Sequence, residues 1–217
     1  MTPQTLCLKS VSLGIDGQSL IGKLSLELRP GEIVTLMGPS GSGKSSLLAH
    51  ICGTLPPDFT TSGEVWLGAR RLDGLPPERR GVGILYQDDL LFAHLSVGGN
   101  LAFALPRGIG RAERRRRVEA ALAEAGLEGM AERDPATLSG GQRARAALLR
   151  TLLAAPGALL LDEPFSKLDA GLRTRIRNFV FEHVAMRDLP VLLVTHDRAD
   201  AEAAAAAGGR VISLDDG

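Results

Sequence analysis

The chain has 217 residues, 44% of them hydrophobic, which is enough for one substantial core without a second domain. Its 25 acidic residues balance 25 basic ones, so the charge argues against a nucleic-acid partner, and the lone cysteines Cys7 and Cys52 predict neither a zinc site nor a disulfide framework. No apolar run reaches the roughly 18 to 20 residues of a membrane-spanning helix, and residues 1–13 lack a charged-then-apolar leader. We therefore expect a cytoplasmic chain that reaches a membrane only through a partner.

The first part of the chain is predicted to form mainly strands, with one glycine-rich loop between them. Alternating apolar and polar positions predict a half-buried antiparallel hairpin near the start, and a β-branched run after the Pro30-Gly31 turn predicts a buried strand. The predicted strands lie over residues 6–13, 20–28, 33–37, 62–67 and 82–86, with a helix over 45–51.

The middle of the chain changes to helical spacing. Between residues 111 and 125, four apolar residues recur at i, i+3, i+4 and i+7 and predict one buried face, while the arginines at 114–117 are interpreted as a solvated face. Strands then alternate with helices, which implies a mostly parallel sheet covered on both sides. These helices lie around 141–154, 172–184 and 199–207, and the strands over 158–161, 191–195 and 211–214.

Residues 38–45 match the pattern GxxxxGK[ST] between a predicted strand and a predicted helix, the context that this motif requires. Its glycines let backbone N–H groups point at a phosphate, and the helix dipole adds to the attraction. Lys44 would reach the β- and γ-phosphates, and the Ser45 hydroxyl would bind Mg²⁺. A glycine-rich turn with a solvated lysine is the alternative, which the flanking strand and helix disfavour. The predicted nucleotide-binding residues here are Gly38, Pro39, Ser40, Gly41, Ser42, Gly43, Lys44, Ser45 and Ser46.

Two carboxylates end the buried run at 158–161. Asp162 would lie at the strand tip beside the phosphate loop and hold Mg²⁺ through its water shell. Glu163 would point elsewhere, because side chains alternate along a strand, and could polarise the water that attacks the γ-phosphate. Taken alone, an acidic pair at a strand end is more commonly structural.

A third motif, Leu-Ser-Gly-Gly-Gln at 138–142, separates this chain from other phosphate-loop proteins. A chance match is on the order of one in a million per position, and a serine with two glycines before a helix offers a hydroxyl and N–H groups to an anion. With these motifs, residues 6–214 resemble the ATP-binding-cassette ATPases. The resemblance implies nucleotide contacts at Ser139, Gly140, Gly141 and Gln142.

The resemblance extends to two further residues, and one nearby segment departs from it. Gln87 matches the glutamine that touches the metal and the attacking water, and His196 matches the histidine that contacts the γ-phosphate. In the segment 166–169, Lys167 stands where the family usually has alanine. The resemblance thus implies ATP and Mg²⁺ as cofactors, catalytic roles for Lys44, Gln87, Glu163 and His196, and metal contacts from Ser45, Gln87 and Asp162.

The fold that the resemblance implies is α/β: a P-loop NTPase (RecA-like) core with a mostly parallel sheet, an antiparallel β subdomain and an inserted α-helical subdomain. The single domain, 1–217, would divide into a nucleotide-binding core with the β subdomain, 1–87 and 155–217, and a helical subdomain, 88–154. The family works as a homodimer or paired cassette, in which ATP lies between the phosphate loop of one subunit and the 138–142 motif of the other.

One expected feature is missing. The family stacks adenine on an aromatic residue at the position of Ile15, and no tyrosine or phenylalanine precedes Phe59. We expect weaker base stacking and comparable affinities for ATP and GTP. Alternatively, an apolar contact such as Leu20 covers the base.

The partners also follow from the resemblance. Residues 88–97 lie where family members receive a short helix of a transmembrane permease, although Leu90, Leu91 and Phe92 could instead fill the subdomain core. Residues 35–40, 55–60 and 134–139 look most like the YnjD-type importer ATP-binding proteins. That type implies permease subunits, an indirect periplasmic solute-binding partner, no nucleic acid and a peripheral position on the inner membrane face. An ATPase of a cell-division or lipoprotein-releasing complex is the alternative.

Overall fold

The computed structural model describes residues 4–166 and 168–214. These residues form two sheets, and the sheet at the start of the chain is antiparallel. The predicted hairpin is confirmed, and its first strand also pairs through its other edge with the strand predicted over residues 62–67. The sheet order is β2-β1-β4-β5. Its strands are β1 (Leu6–Ile15), β2 (Gln18–Leu28), β4 (Phe59–Leu67) and the short β5 (Arg70–Arg71).

The second sheet has five parallel strands, as the strand–helix alternation predicts. It consists of β3 (Ile33–Met37), β6 (Val82–Leu85), β7 (Ala158–Asp162), β8 (Val191–Val194) and β9 (Arg210–Ser213), in the order β6-β7-β8-β3-β9. The strands β3, β7 and β8 are almost entirely buried, which explains why their sequences are continuously apolar. Because all five strands run the same way, the residues that follow them meet at one edge of the sheet.

Helices cover both sides of this sheet. They are α1 (Lys44–Cys52), α2 (Pro77–Arg80), α3 (Val97–Ala104), α4 (Arg111–Glu124), α5 (Gly140–Leu153), α6 (Ala170–Met186) and α7 (Arg198–Ala206), with a 3₁₀ turn over Pro135–Thr137. The sequence predicted the five longest of these within a few residues. No helix in the described part of the chain is long and apolar enough to cross a bilayer.

The helices α3, α4 and one face of α5 share a cluster of buried apolar side chains. The predicted buried face of α4 is confirmed, since Val118, Ala121, Leu122 and Ala125 are all buried. The solvated-face interpretation is wrong for Arg114, whose guanidinium donates to backbone carbonyls that include Pro106 O at 3.0 Å. The opposite face of α5 packs on the core strands, so this helix links the cluster to the parallel sheet. The predicted division at residues 88 and 154 stays a prediction.

Candidate functional site

The phosphate loop joins β3 to α1. Gly41 and Gly43 both have φ +83°, a conformation that favours glycine, and Gly43 caps α1 without any side-chain hydrogen bond. The first N–H groups of α1 therefore face the loop, where an anion can bind them. A Cβ atom at Gly43 would lie 3.1 Å from both Leu20 and Ile21, so the β1–β2 hairpin borders the loop closely.

Lys44 fills the centre of this loop. The residue is buried, and its Nζ donates to Gly38 O at 2.8 Å, to Pro39 O and to Ser42 Oγ at 3.2 Å. Burial lowers the pKa of the ammonium, and the nearby carboxylates oppose that effect. Pro39 and Ser40 are exposed, whereas Ser46 is half-buried in the first turn of α1. The loop thus combines one positive charge with backbone N–H groups.

Ser45 and Asp162 meet although 117 residues separate them. The Ser45 hydroxyl, in the first turn of α1, donates to Asp162 Oδ1 at the end of β7 over 2.9 Å. Burial raises the pKa of Asp162, partly offset by this hydrogen bond. The two oxygen ligands suit Mg²⁺, which takes few protein ligands and completes its shell with phosphate and water oxygens. Among the described residues, no group of three or more His, Cys, Asp or Glu side chains could hold a metal ion.

Glu163, the residue after Asp162, is hydrogen-bonded to His196. The distance from His196 Nδ1 to Glu163 Oε1 is 2.9 Å. Glu163 is the first residue beyond β7, and its N–H donates to Val194 O of the neighbouring strand at 2.9 Å. Its backbone has φ +47°, so a local turn as well as strand alternation directs the side chain. A carboxylate hydrogen-bonded to an imidazole is an arrangement that can hold and orient a proton acceptor.

Gln87 lies two residues beyond β6, where Leu85 is opposite Leu161 of β7. It therefore sits at the same sheet edge as Asp162 and Glu163. Its side chain is exposed and makes no hydrogen bond to either carboxylate within the described residues. The structure places Gln87 near the site without showing a contact.

The 138–142 motif lies apart from the phosphate loop. Ser139 caps α5 and forms a reciprocal capping box with Gln142: Ser139 Oγ accepts from Gln142 N at 3.3 Å, and Gln142 Oε1 accepts from Ser139 N at 2.9 Å. Gly141 is buried, and a Cβ there would lie 2.5 Å from the Leu172 side chain of α6, so a larger residue would require Leu172 to move. These residues border a cavity of about 410 Å³ whose described lining includes nothing from residues 38–45.

The remaining predicted positions have mixed outcomes. Lys167 lies outside the described residues. Beside it, Ser166 Oγ donates to Glu163 O at 2.9 Å, and Asp169 caps α6 by accepting from Leu172 N. Two ion pairs join α6 to the segment that follows His196: Arg173–Asp197 and Arg177–Asp200. The sequence did not predict them, because their partners lie 24 and 23 residues apart and a local sequence pattern cannot indicate such distant pairs.

The comparisons with known proteins agree with this geometry. Residues 21–166 match a family model described as ABC transporter. The chain is 52% identical over 198 residues to YnjD of Escherichia coli strain K12, described as an uncharacterized ABC transporter ATP-binding protein, and the match covers 91% of each chain. The similarity to the YnjD type expected from the sequence is thereby confirmed.

Two further relatives are named as import ATP-binding proteins. The Fe(3+) ions import ATP-binding protein FbpC of Streptomyces avermitilis is 42% identical over 201 residues, which cover 92% of this chain and 57% of that protein. The maltose/maltodextrin import ATP-binding protein MalK of Yersinia pestis is 39% identical over 203 residues, covering 93% and 53%. The chain thus spans little more than half of either importer subunit. It belongs to the ABC transporter family of ATP-binding proteins and is an ATPase with a P-loop NTPase fold.

Proposed function

We propose that this chain hydrolyses ATP to ADP and phosphate as the energy-supplying subunit of a binding-protein-dependent importer of small solutes. The observation that carries the proposal is the meeting of two side-chain pairs at one sheet edge. Ser45 and Asp162 form the first pair beside Lys44, and Glu163 and His196 form the second. This edge thus offers a positive loop for phosphates, oxygen ligands for Mg²⁺ and a carboxylate for a proton.

Each of these residues has a role in the proposed reaction. Lys44 and the loop N–H groups hold the β- and γ-phosphates and offset the charge that develops on them. Ser45 and Asp162, with Gln87, would hold Mg²⁺, which supplies further charge neutralisation when bound. Glu163 accepts a proton as the water oxygen bonds to the γ-phosphorus and the bond to the β–γ bridging oxygen breaks. His196 orients Glu163 and contacts the γ-phosphate.

The 138–142 motif calls for a second subunit. Its cavity shares no described residue with the phosphate loop, so we propose that Ser139 and the first N–H groups of α5 close over the ATP of a partner. The partner is a second copy of this chain or a paired cassette. Binding of ATP then closes the dimer and hydrolysis opens it, which turns the reaction into a change of spacing between two bodies.

A membrane permease is the proposed recipient of that motion. A cavity of about 460 Å³, lined mainly by apolar side chains, lies between β6, α3 and α5. At its rim the side chains of Leu90 and Phe103 are 57% and 68% exposed, whereas Leu91 packs against buried clusters. Leu91 thus fills the core, while exposed Leu90 and Phe103 leave an apolar surface that supports the docking role. We propose that a short apolar helix of the permease binds here, coupled to the sheet through a helical subdomain over 88–154.

The import direction rests on the similarity to FbpC and MalK, which are both named as import proteins and so favour an importer over a cell-division or lipoprotein-releasing complex. Those two proteins import chemically unlike solutes with similar ATP-binding subunits. We therefore assign the choice of solute to the permease and the periplasmic solute-binding protein. This chain would lie on the inner face of the membrane.

The test uses Glu163→Gln, which keeps the side-chain volume but removes the base. We expect hydrolysis with Mg²⁺ to fall by about 10²- to 10⁴-fold, and light scattering with Mg-free ATP to show a dimer. Adding Lys44→Ala or Ser139→Arg should return the variant to a monomer, since each removes one half of the composite site. A monomer that still hydrolyses ATP at the parent rate would refute the proposal.

A further inference from the structure

His196 has little to hold it in place by itself. Its side chain is 55% exposed, and its one hydrogen bond among the described residues goes to Glu163. The orientation of the imidazole ring therefore depends on the backbone of residues 195–197, which connect β8 to α7. Anything that fixes this segment also fixes His196 relative to Glu163.

Asp197 holds the segment through three contacts, with Thr195, with Ala199 of α7 and with Arg173 of α6. Its Oδ1 accepts from Ala199 N at 2.8 Å and caps α7, and its own N–H donates to Thr195 Oγ1 at 3.0 Å. Its Oδ2 forms an ion pair with Arg173 of α6. The hydrogen bond from Ala199, together with the charge of Arg173, lowers the pKa of Asp197 despite burial. The Asp197 carboxylate is therefore ionised at neutral pH and can pair with Arg173.

A second ion pair lies one helical turn further along α6. Arg177 Nη1 donates to Asp200 Oδ1 at 3.2 Å and to Ala199 O at 3.1 Å, and Asp200 is buried. The Nε atoms of Arg173 and Arg177 are buried without a hydrogen-bond partner in the described part of the chain. Such groups cost free energy, and apolar side chains in their place are often equally stable. Stability alone is therefore a weak explanation for the two pairs.

The same helix is also linked to Glu163. The chain runs from Glu163 into α6 through residues 164–169, and within it Phe165 is fully buried while Ser166 Oγ bonds to Glu163 O. The helix α6 is thus connected to both ends of the Glu163–His196 hydrogen bond, by the chain on one side and by two arginines on the other.

We propose that Arg173 and Arg177 are positioning residues for hydrolysis, which hold the His196 segment within hydrogen-bonding distance of Glu163. The proposal rests on the hydrolytic roles proposed above for Glu163 and His196. Losing Arg173 leaves the Ala199 cap of α7 intact but lets the segment shift relative to α6. Because a misplacement of about 1 Å can cost about 10² in rate, we expect kcat to fall about tenfold to a hundredfold. The KM for ATP should not change, since the phosphate loop is untouched.

The experiment measures kcat and KM for ATP in Arg173→Met and Arg177→Met, each in the parent and in the His196→Ala background. Both single variants should lower kcat alone, and neither should cost anything further once His196 is gone. Arg173→Lys should restore most of the activity, because lysine can still pair with the carboxylate. Arg198→Met is the matched control: this exposed arginine directly follows Asp197, has no ion pair among the described residues and should leave kcat unchanged.

A milder variant covers the case in which Arg173→Met does not fold. Asp197→Asn keeps a side-chain oxygen for the Ala199 N–H and removes only the charge that pairs with Arg173, so it should show the same loss of kcat. Parent kcat in Arg173→Met, a raised KM alone, or losses that multiply with His196→Ala would overturn the inference and leave the proposed function standing. Parent kcat in His196→Ala itself would overturn both.

Discussion

Replacing Ile15 with tyrosine is expected to tighten ATP binding. The family resemblance places a ring at this position under the adenine, and Ile15 is the half-buried last residue of β1. Leu20 and Ile21, on the neighbouring strand, pack against Gly43 of the phosphate loop. This end of the hairpin is therefore close enough to the loop for a side chain to reach a bound base.

The structure also shows why Phe59 does not take the missing role. It lies opposite Ile15 in β4, but it lines a cavity with His50 and Arg80 at the C-terminal end of α1. The phosphate loop is at the other end of that helix. Aromatic stacking contributes about 0.5–1.5 kcal/mol beyond area burial, so a new ring worth about 1 kcal/mol lowers the Kd about fivefold.

The assay is calorimetric titration of nucleotide in the Glu163→Gln background, which slows ATP consumption. Ile15→Tyr should bind ATP about fivefold more tightly than the parent, whereas Ile15→Leu, which adds no ring, should not differ. The parent itself should bind ATP and GTP with comparable affinity. An unchanged Kd in Ile15→Tyr, or a strong preference of the parent for ATP, would refute the reasoning.

Two further predictions concern buried charged side chains, one of which weakens the fold while the other stabilises it. Asp162→Asn should lower hydrolysis at saturating Mg²⁺ by at least about tenfold yet raise the free energy of unfolding in urea at pH 7. Burial raises the pKa of Asp162, so its ionised form weakens the fold and a neutral side chain there is more stable. This gain in stability of the variant over the parent should vanish as the pH falls below the ordinary aspartate pKa, where both side chains are neutral. Arg80→Met should lower the free energy of unfolding by about 2–4 kcal/mol, because buried Arg80 donates to Leu75 O, His50 O and Ile51 O at 2.6–3.0 Å; the exposed Arg79→Met is the control, and an equal loss there would contradict the explanation.

Local patterns were sufficient for much of this fold. The strands β3 and β7 are short apolar runs bounded by turns, and each ends where a motif begins, so the sequence placed Lys44, Asp162 and Glu163 at strand ends. The helix α3 was missed because Gly98 and Gly99 are poor helix formers. Tertiary contacts compensate there, since buried Asn100 bonds to the backbone of residues 92–96.

Other features depend on distant parts of the chain and leave no local signal. The order β6-β7-β8-β3-β9 brings Ser45 to Asp162 and Glu163 to His196, but the strands themselves do not encode their neighbours. The clamp of Arg80 on the end of α1 joins residues about thirty positions apart, where hydrophobic periodicity carries no information. Only the family resemblance linked the 138–142 motif to the nucleotide.

Glu163 shows how this site combines function with a cost in stability. A residue other than glycine at φ +47° is disfavoured by about 1–2 kcal/mol, yet from this turn the carboxylate reaches His196. Glycine removes that penalty, at about 0.4–1 kcal/mol of extra chain entropy in the unfolded state. Glu163→Gly should therefore be about 0.5–1 kcal/mol more stable in urea than Glu163→Ala, the reverse of the usual order, while both variants lose hydrolysis. Greater stability of the alanine variant would mean that the backbone is not strained here, and alternation along β7 would then have to account for the direction of the side chain.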